Sequence, residues 1–190
     1  DPQLAYKQNA EVTTFLAELA AEIPFVFFST DLVFDGQKGG YREEDAVNPL
    51  SVYAESKVAA ERAVLRNPNH TVIRTSLNGG RSPGGDRGFN EEMRRAWTRG
   101  ESLKFFVDEF RCPIAANETA RATWELLQRH ATGVYHLAGA ERLSRFQLGE
   151  LIAARCPELN PRYEAATLKE YTGAPRPPDC SLDCSKAQAL

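Results

Sequence analysis

The chain has 190 residues, of which 42% are hydrophobic and 26% charged, enough for one core and a small second lobe. Its formal net charge of −3 and its scattered arginines exclude the charge pattern of a nucleic-acid-binding protein. No apolar run approaches the roughly 18 residues of a membrane span. The four cysteines have neither zinc-ligand spacing nor a disulfide pattern, which favours a cytoplasmic protein without a metal.

The first half of the chain predicts helices alternating with strands. Apolar residues recur at helical spacing over 12–23, which predicts an amphipathic helix that Pro24 ends. Residues 25–28 are apolar on both faces, as expected of a central strand covered by helices on each side. An Ala-rich second helix is predicted over 48–65, with Asn48 as its N-cap and a proline in the first helical position.

The second half continues this alternation, which argues for an α/β protein with a mostly parallel sheet. The predicted strands cover residues 71–76, 103–107 and 134–138. A glycine-rich loop covers 78–88, and helices are predicted from Asn90, from an Asn117 cap and after Ser144, which forms a capping box with Gln147. An extended proline-rich tail over 173–178 leads to a short last helix, which Asp183 or Ser185 could cap.

Five polar residues carry the chemistry that the sequence suggests. Ser29, Thr30 and Asp31 end the first predicted strand, and ligands of parallel α/β sheets collect at the carboxyl ends of strands. Tyr53 and Lys57 are four apart on a predicted helix, and therefore lie one turn apart on one face. A phenol has a pKa of about 10, and a nearby ammonium lowers it enough for acid–base catalysis. Thr30 or Ser29 could hold a substrate oxygen, while a hydride must come from a cofactor.

The Tyr53/Lys57 pair by itself is better explained by an exposed helix face. The order of the surrounding motifs is more specific, and these motifs span nearly the whole chain. Residues 28–36 read Phe-Ser-Thr-Asp-Leu-Val-Phe-Asp-Gly. Further matching segments lie at Asn9, 41–45, 48–53, 56–57, Glu61, 74–76, 108–113, 176–178 and 182–186. As an ordered set they resemble the dTDP-4-dehydrorhamnose reductase family of extended short-chain dehydrogenases/reductases.

This resemblance implies a Rossmann-like, doubly wound parallel sheet, incomplete at its N-terminus, with a small C-terminal substrate-binding lobe. Residues 1–76 would form the C-terminal half of the NAD(P)-binding domain and carry the catalytic residues. Residues 77–190 would form mainly the substrate lobe, with interleaved Rossmann elements. The implied enzyme uses NADPH or NADH to reduce a nucleotide-linked 4-keto-6-deoxy sugar, and a homodimer is among the assemblies left open.

Carried over position by position, the family's catalytic threonine, tyrosine and lysine fall on Thr30, Tyr53 and Lys57. The resemblance makes Tyr53 the proton donor, lets Lys57 hold the nicotinamide ribose and tune Tyr53, and lets Thr30 orient the keto group. We assign Ser29, with Tyr53 and Lys57, to cofactor binding.

On the substrate side we place Thr30, Asp31 and Arg111. Arg111 is predicted to lie in a loop, where it could reach a diphosphate, and a structural salt bridge is an equal alternative. The glycines between 79 and 88 are interpreted as a mobile loop or, alternatively, as a lid or phosphate contact.

Two departures from the family matter. The family opens with a strand and a Gly-x-x-Gly-x-x-Gly turn that binds pyrophosphate, and this turn is absent. We therefore expect a missing N-terminal nucleotide-binding part, poor cofactor binding by the chain itself and an exposed sheet edge. Leu77 stands where the rhamnose-forming enzymes place an aromatic residue, which leaves the sugar open.

Two other functions remain as alternatives. One is a non-catalytic regulatory relative like the methionine adenosyltransferase beta subunit, and the other is a sugar-nucleotide epimerase or dehydratase. The remaining chemistry-bearing residues are assigned structural roles. These are His70, His130 and His136 as surface or strand residues, Trp97 and Trp124 as packing residues, and Cys180 and Cys184 as free thiols.

Overall fold

The structure is a computed structural model that describes residues 2–190. Its strands are β1 (Val26–Thr30), β2 (Thr71–Thr75), β3 (Asn78–Gly79), β4 (Ser102–Phe106), β5 (Phe110–Arg111), β6 (Ile114–Ala115), β7 (Gly133–Leu137), β8 (Leu143–Ser144) and β9 (Arg162–Ala166). Its helices are α1 (Pro2–Tyr6), α2 (Val12–Leu19), α3 (Val52–Val64), α4 (Phe89–Thr98), α5 (Ala116–Gln128), α6 (Arg145–Ala153) and α7 (Ser185–Gln188). None of them has the length and apolar character that a membrane crossing requires.

The central sheet is parallel, with the strand order β1-β2-β7. Thr71 pairs with Val26 on one side and with Gly133 on the other, so the carboxyl ends of all three strands meet at one edge. The three strands were predicted, with bounds shifted by one or two residues. β1 is an edge strand of this sheet, and Phe28 on it is 44% exposed, which agrees with the expected exposed edge.

The first predicted helix forms as α1, one π-helical turn (Lys7–Glu11) and α2, and ends at Leu19 before Pro24. Its apolar row points outward: Phe15 is 60% and Leu19 68% exposed. Small residues face the core instead. Ala17 packs against Ala60 and their neighbours, since only short side chains allow α2 to lie this close to α3 and the sheet.

The second helix begins later than predicted. Ser51 is its N-cap, and the Ser51 hydroxyl accepts a hydrogen bond from the Ala54 backbone N–H at 3.2 Å. Asn48 was therefore the wrong cap. Its side-chain amide instead donates to Asp35 Oδ2 at 2.9 Å and its backbone N–H donates to Val33 O, which fixes the loop before α3.

The second half adds a smaller layer around a two-stranded parallel sheet, β4 with β9. Met93, Trp97, Phe105 and Ala153 form its core, which confirms Trp97 as a packing residue. Trp124, however, is 67% exposed, so its predicted packing role was wrong. β9 was not predicted, because its sequence, Arg-Tyr-Glu-Ala-Ala, has a single large apolar residue and therefore gives only a weak hydrophobic signal for a strand.

Three helix caps were predicted in this half of the chain; one is confirmed and two were wrong. The capping box of Ser144 and Gln147 forms as predicted, with hydrogen bonds of 3.0 and 2.8 Å. α5 begins at Ala116, so Asn117 lies inside the helix and is not its cap. At α7 the N-cap position is Cys184, while Asp183 Oδ1 accepts the backbone N–H of Ser185 at 2.8 Å.

The histidines are less exposed than predicted. His70 and His136 are fully buried, and only His136 lies in a strand. Their positions follow from hydrogen bonds to the backbone: His70 Nε2 lies 3.1 Å from Ala17 O, and His136 Nδ1 lies 3.1 Å from Tyr41 O. His130 is exposed, as expected.

Candidate active site

A cavity of about 280 Å³ opens at the carboxyl ends of β1 and β2, which we call the strand-end pocket. It is lined by Thr30, Asp31, Leu32, Leu50, Ser51, Tyr53, Ser76, Leu77, Glu109, Arg111, Arg145, Pro175, Arg176 and Pro177. Thr30, Asp31, Tyr53 and Arg111 are predicted site residues, and the fold brings them to one place. Ser29 and Lys57 lie beside the pocket without lining it.

Thr30 and Asp31 form the floor of the strand-end pocket. The Thr30 hydroxyl donates to Asp31 Oδ1 at 3.2 Å and accepts the Leu32 backbone N–H at 3.2 Å. Asp31 Oδ2 accepts the Ser76 hydroxyl at 2.7 Å and lies 3.7 Å from Arg111 Nε. Burial raises the pKa of Asp31, and the Arg111 charge opposes that rise. Both Asp31 oxygens thus contact protein groups, and its substrate contact stays a prediction.

Tyr53 presents its side chain to the pocket from the first turn of α3 and is 45% exposed. Partial burial raises the pKa of its phenol, and the Asp31 carboxylate adds to that rise. The neighbouring Thr30 hydroxyl acts in the opposite direction. Tyr53 is therefore held protonated near neutrality, which is the form a proton donor needs.

Lys57 lies one turn further along α3. Its ammonium donates to Phe28 O at 2.5 Å and lies 4.0 Å from the centre of the Phe27 ring. Burial lowers the pKa of Lys57 to about 8, although the nearby Glu61 carboxylate opposes this shift. Lys57 is not among the groups that shift the pKa of Tyr53 here, so its tuning role stays a prediction.

Ser29 lies on β1 next to Thr30 but does not line the pocket. The residue is 5% exposed, and its hydroxyl oxygen is buried without a hydrogen-bond partner among the described residues. An orphaned hydroxyl beside the site is compatible with a ligand contact. Its assignment to cofactor binding is not tested by this geometry.

Arg111 lies in β5, not in the predicted loop, and is 4% exposed. Its guanidinium lies 3.2 Å from Glu109 and donates to the backbone oxygens of Phe110 at 2.7 Å and Pro177 at 3.1 Å. Of the two alternatives for Arg111, the geometry fits the structural salt bridge. Nη1 donates to two backbone oxygens, and Nη2 and Nε lie within ion-pair distance of Glu109 and Asp31.

Arg176 and Arg145 line the same pocket, and the sequence did not single them out as site residues. Arg176 belongs to a matched family segment and pairs with Glu109 through two hydrogen bonds of 2.7 and 3.0 Å. Arg145 is the first residue of α6, directly after the Ser144 cap. No spacing connects residues 109, 145 and 176, so only the folded chain shows that they meet.

Two of the matched motifs contact each other directly. Gly36 has φ = +77°, and a Cβ at this position would lie 2.7 Å from Pro178 N. Any side chain would therefore push the 177–178 segment away from the pocket that Pro177 lines. This close approach explains why a glycine ends the 28–36 motif.

The first helix supports α3 through Asn9. The Asn9 side-chain amide donates to the Ser56 hydroxyl at 3.0 Å, and Ser56 in turn donates to Tyr53 O at 2.7 Å. Asn9 lies in the π-helical turn between α1 and α2. Through Ser56, Asn9 therefore helps to position the helix that carries Tyr53.

The glycine-rich loop is tied down by one carboxylate. Glu91 accepts hydrogen bonds from the backbone N–H groups of Ser82, Arg87 and Gly88 and from the Ser82 hydroxyl, at 2.7 to 3.1 Å. These donors lower the pKa of Glu91 to about 2. The loop lines a separate cavity with Arg81, and its interpretation as a lid or phosphate contact is not tested.

Metal and disulfide chemistry have no support in this part of the chain. Across residues 2–190, no group of three or more His, Cys, Asp or Glu side chains could hold a metal ion. All four cysteines, which lie within this range, are free thiols. Burial raises the pKa of Cys184 to about 11, so it is a poor nucleophile near neutrality.

Comparison with known proteins matches the chain to one family. The model described as RmlD substrate binding domain matches residues 1–190. A dTDP-4-dehydrorhamnose reductase from Sinorhizobium fredii is 31% identical, over 99% of this chain and 68% of its own length. Methionine adenosyltransferase 2 subunit beta from Danio rerio is 28% identical, over 99% of this chain and 61% of that protein. The chain thus spans about two thirds of the length of these relatives.

Solved structures share the fold. A hypothetical dTDP-4-dehydrorhamnose reductase from Sulfolobus tokodaii matches with a TM-score of 0.87 and 34% identity, covering 100% of this chain and 67% of that one. The dTDP-4-dehydrorhamnose reductase from Bacillus anthracis, solved in complex with NADP, gives 0.90 at 23% identity, covering 99% and 67%. The predicted Rossmann-like α/β fold is confirmed by these likenesses and by the parallel sheet.

Proposed function

The chain belongs to the RmlD substrate binding domain family, and on that premise we propose that it is the catalytic and substrate-binding part of a reductase of a nucleotide-linked 4-keto-6-deoxy sugar. The observation that carries this proposal is the strand-end pocket. It places the Thr30 hydroxyl beside a protonated Tyr53 at the sheet edge where parallel α/β proteins bind ligands.

The Thr30 and Tyr53 hydroxyls have different roles at the keto group. Thr30 orients the carbonyl oxygen by a hydrogen bond, and Tyr53 transfers its proton to that oxygen as the carbonyl carbon is reduced. The raised pKa of Tyr53 keeps the proton in place until the oxygen gains charge. The charged Lys57 ammonium near the same helix face favours the phenolate that remains.

The residues present fit a nicotinamide cofactor, NADPH or NADH, which supplies the hydride when bound. Lys57 uses one ammonium donor on Phe28 O, which leaves two donors for ribose hydroxyls. Tyr53 is exposed enough to join them, and the unpartnered Ser29 hydroxyl is a third candidate contact. We assign Ser29, Tyr53 and Lys57 to this role.

A regulatory function is the second candidate. It is favoured by relatives named methionine adenosyltransferase 2 subunit beta and by Leu77, which lines the strand-end pocket where an aromatic residue would pack on a sugar ring. In that case the pocket would bind ligand without turnover.

The broader organisation is also proposed. Residues 1–76 form the catalytic half of the cofactor domain, and 77–190 form mainly the substrate lobe. β7 supports the interleaving, because it returns from the second part to complete the central sheet. The exposed apolar residues Phe15 and Leu19 support burial of α2 in a homodimer, which light scattering can test. The free thiols favour a cytoplasmic location.

The deciding experiment follows NAD(P)H oxidation at 340 nm with the full-length gene product and an enzymatically made dTDP-4-keto-6-deoxy sugar. Tyr53→Phe should lower turnover by roughly 10²–10⁴-fold, because it removes the proton donor. Tyr135→Phe, a tyrosine in β7 outside the pocket, is the matched control and should keep its activity. Wild-type protein that binds cofactor and turns over no keto sugar would favour the regulatory function.

A further inference from the structure

Arg145 stands out among the cations of the strand-end pocket because it has no partner. Its backbone N–H donates to Glu109 O at 2.8 Å, which fixes the start of α6. Within residues 2–190, however, its guanidinium makes no ion pair and no hydrogen bond. The side chain is only partly exposed and lines the pocket.

The two neighbouring arginines, in contrast, both have carboxylate partners. Arg111 pairs with Glu109 and Asp31, at 3.2 and 3.7 Å, and Arg176 pairs with Glu109 through two short hydrogen bonds. The two carboxylates of the pocket are thus shared between two of its three guanidinium groups. One positive charge is left in excess, and it is the one on Arg145.

An uncompensated charge in this position is unfavourable for the protein without a ligand. Burial removes water from the guanidinium, and the Arg111 and Arg176 charges repel it; together these effects lower the pKa of Arg145. The Glu109 and Asp31 charges offset this only in part. A half-buried charge in a pocket that lacks a protein partner is best explained by a ligand that supplies one.

We propose that Arg145 binds a phosphate of the nucleotide-diphosphate moiety of the substrate, a role that rests on the proposed function of the strand-end pocket. A guanidinium presents planar, paired donors that match phosphate oxygens. The bound anion would neutralise the excess charge of the three arginines.

The surroundings of Arg145 favour the substrate over the cofactor as the source of this phosphate. Arg145 and Arg176 also line a second cavity of about 310 Å³, between α4 and β4, which adjoins the strand-end pocket at these two side chains. Lys57, which we assign to the cofactor, lines neither cavity. A ligand that extends from Tyr53 past Arg145 therefore leads into the second cavity, away from the Lys57 side.

The test measures binding separately from turnover, in the full-length gene product. Arg145→Gln should weaken the binding of dTDP and of inorganic pyrophosphate by roughly 10–100-fold in calorimetry, and Arg145→Lys should recover part of the loss. The Kd for NADPH should not change. Arg155→Gln removes the same charge from an exposed position just beyond α6 and should change neither affinity. Without ligand, Arg145→Gln should keep or raise Tm, because it removes an unpaired charge.

Several outcomes would overturn this role. They are equal dTDP affinity in Arg145→Gln and Arg155→Gln, a loss confined to NADPH, and no binding of dTDP or pyrophosphate by the wild type. The proposed reductase fails separately. If the protein binds dTDP through Arg145 but reduces no keto sugar, the anion site is supported and the reductase is ruled out. If Arg145→Gln keeps full turnover and an unchanged substrate KM, the reductase is supported and the anion site is ruled out.

Discussion

The two walls of the strand-end pocket differ in how the chain builds them. The wall with Thr30, Tyr53 and Lys57 comes from β1 and the start of α3, regular elements close together in the sequence. The wall with Arg145 and Arg176 comes from a helix start and a loop that both contact Glu109: its backbone oxygen accepts the Arg145 backbone N–H, and its carboxylate pairs with Arg176. The reactive groups are therefore held by regular elements, whereas Arg176 is held by an ion pair and Arg145 by its backbone N–H alone.

The largest expected effect tests the charged wall. Glu109→Ala should lower the free energy of unfolding by about 3–5 kcal/mol, because it leaves Arg111 buried and Arg176 without their shared partner. Urea unfolding followed by circular dichroism measures this loss. Glu101→Ala, which breaks an exposed pair with Arg99, should cost far less. Equal losses would show that the charged wall is no more structural than the surface.

The next effect tests the reactive wall. Thr30→Val in the full-length protein should lower kcat roughly 10²-fold, because the keto oxygen loses a positioned donor. Thr30→Ser keeps the hydroxyl and should keep most of the rate. Steady-state kinetics with both variants separates the hydroxyl from the shape of the side chain. A similar loss in both would assign Thr30 to packing and to the turn at Leu32.

A pH profile distinguishes the walls by their titration. Lys57 has a pKa of about 8, lowered by burial, so it is charged at pH 7 and neutral at pH 9. Since its charge supports the Tyr53 phenolate, kcat/KM should fall above pH 8, by up to about tenfold per pH unit. Lys57→Arg stays charged, so any activity it retains should hold to higher pH. A wild-type profile that is flat to pH 9.5 would contradict this role.

The smallest effect concerns the start of α3, which aims Tyr53 at the pocket. Ser51→Ala removes the N-cap and should cost about 0.5–2 kcal/mol of stability. Ser51→Asp keeps an acceptor and should be close to neutral. Thermal unfolding of the two variants makes the comparison. No difference between them would mean that α3 starts without help from its cap.

The sequence was a good guide to the reactive wall, because its signals are local. A few neighbouring residues are enough to predict each of its parts: a strand that is apolar on both faces, polar residues at the end of that strand, and a helix with the Tyr/Lys pair. The cap of α3 was misplaced, since Asn48 and Ser51 are both good caps and only the contact of Asn48 with Asp35 decides between them.

The charged wall could not be predicted in the same way. For Arg111 a ligand contact and a structural salt bridge were equal alternatives, and Arg145 was not singled out; their roles depend on which of them receives the Glu109 carboxylate. The outward face of α2 was missed for a related reason. Helical periodicity shows that a helix has an apolar row but not which side meets the sheet, and here small residues meet it.

The strand order of the central sheet has a consequence for how the protein is made. β2 pairs with β1, already synthesised, and with β7, which follows only after α4, β4 and α5. During synthesis, the edge of β2 that pairs with β7 therefore stays unpaired until Leu137 has emerged from the ribosome. At about 5–20 residues per second, this delay lasts seconds, a window in which a chaperone can bind the nascent chain.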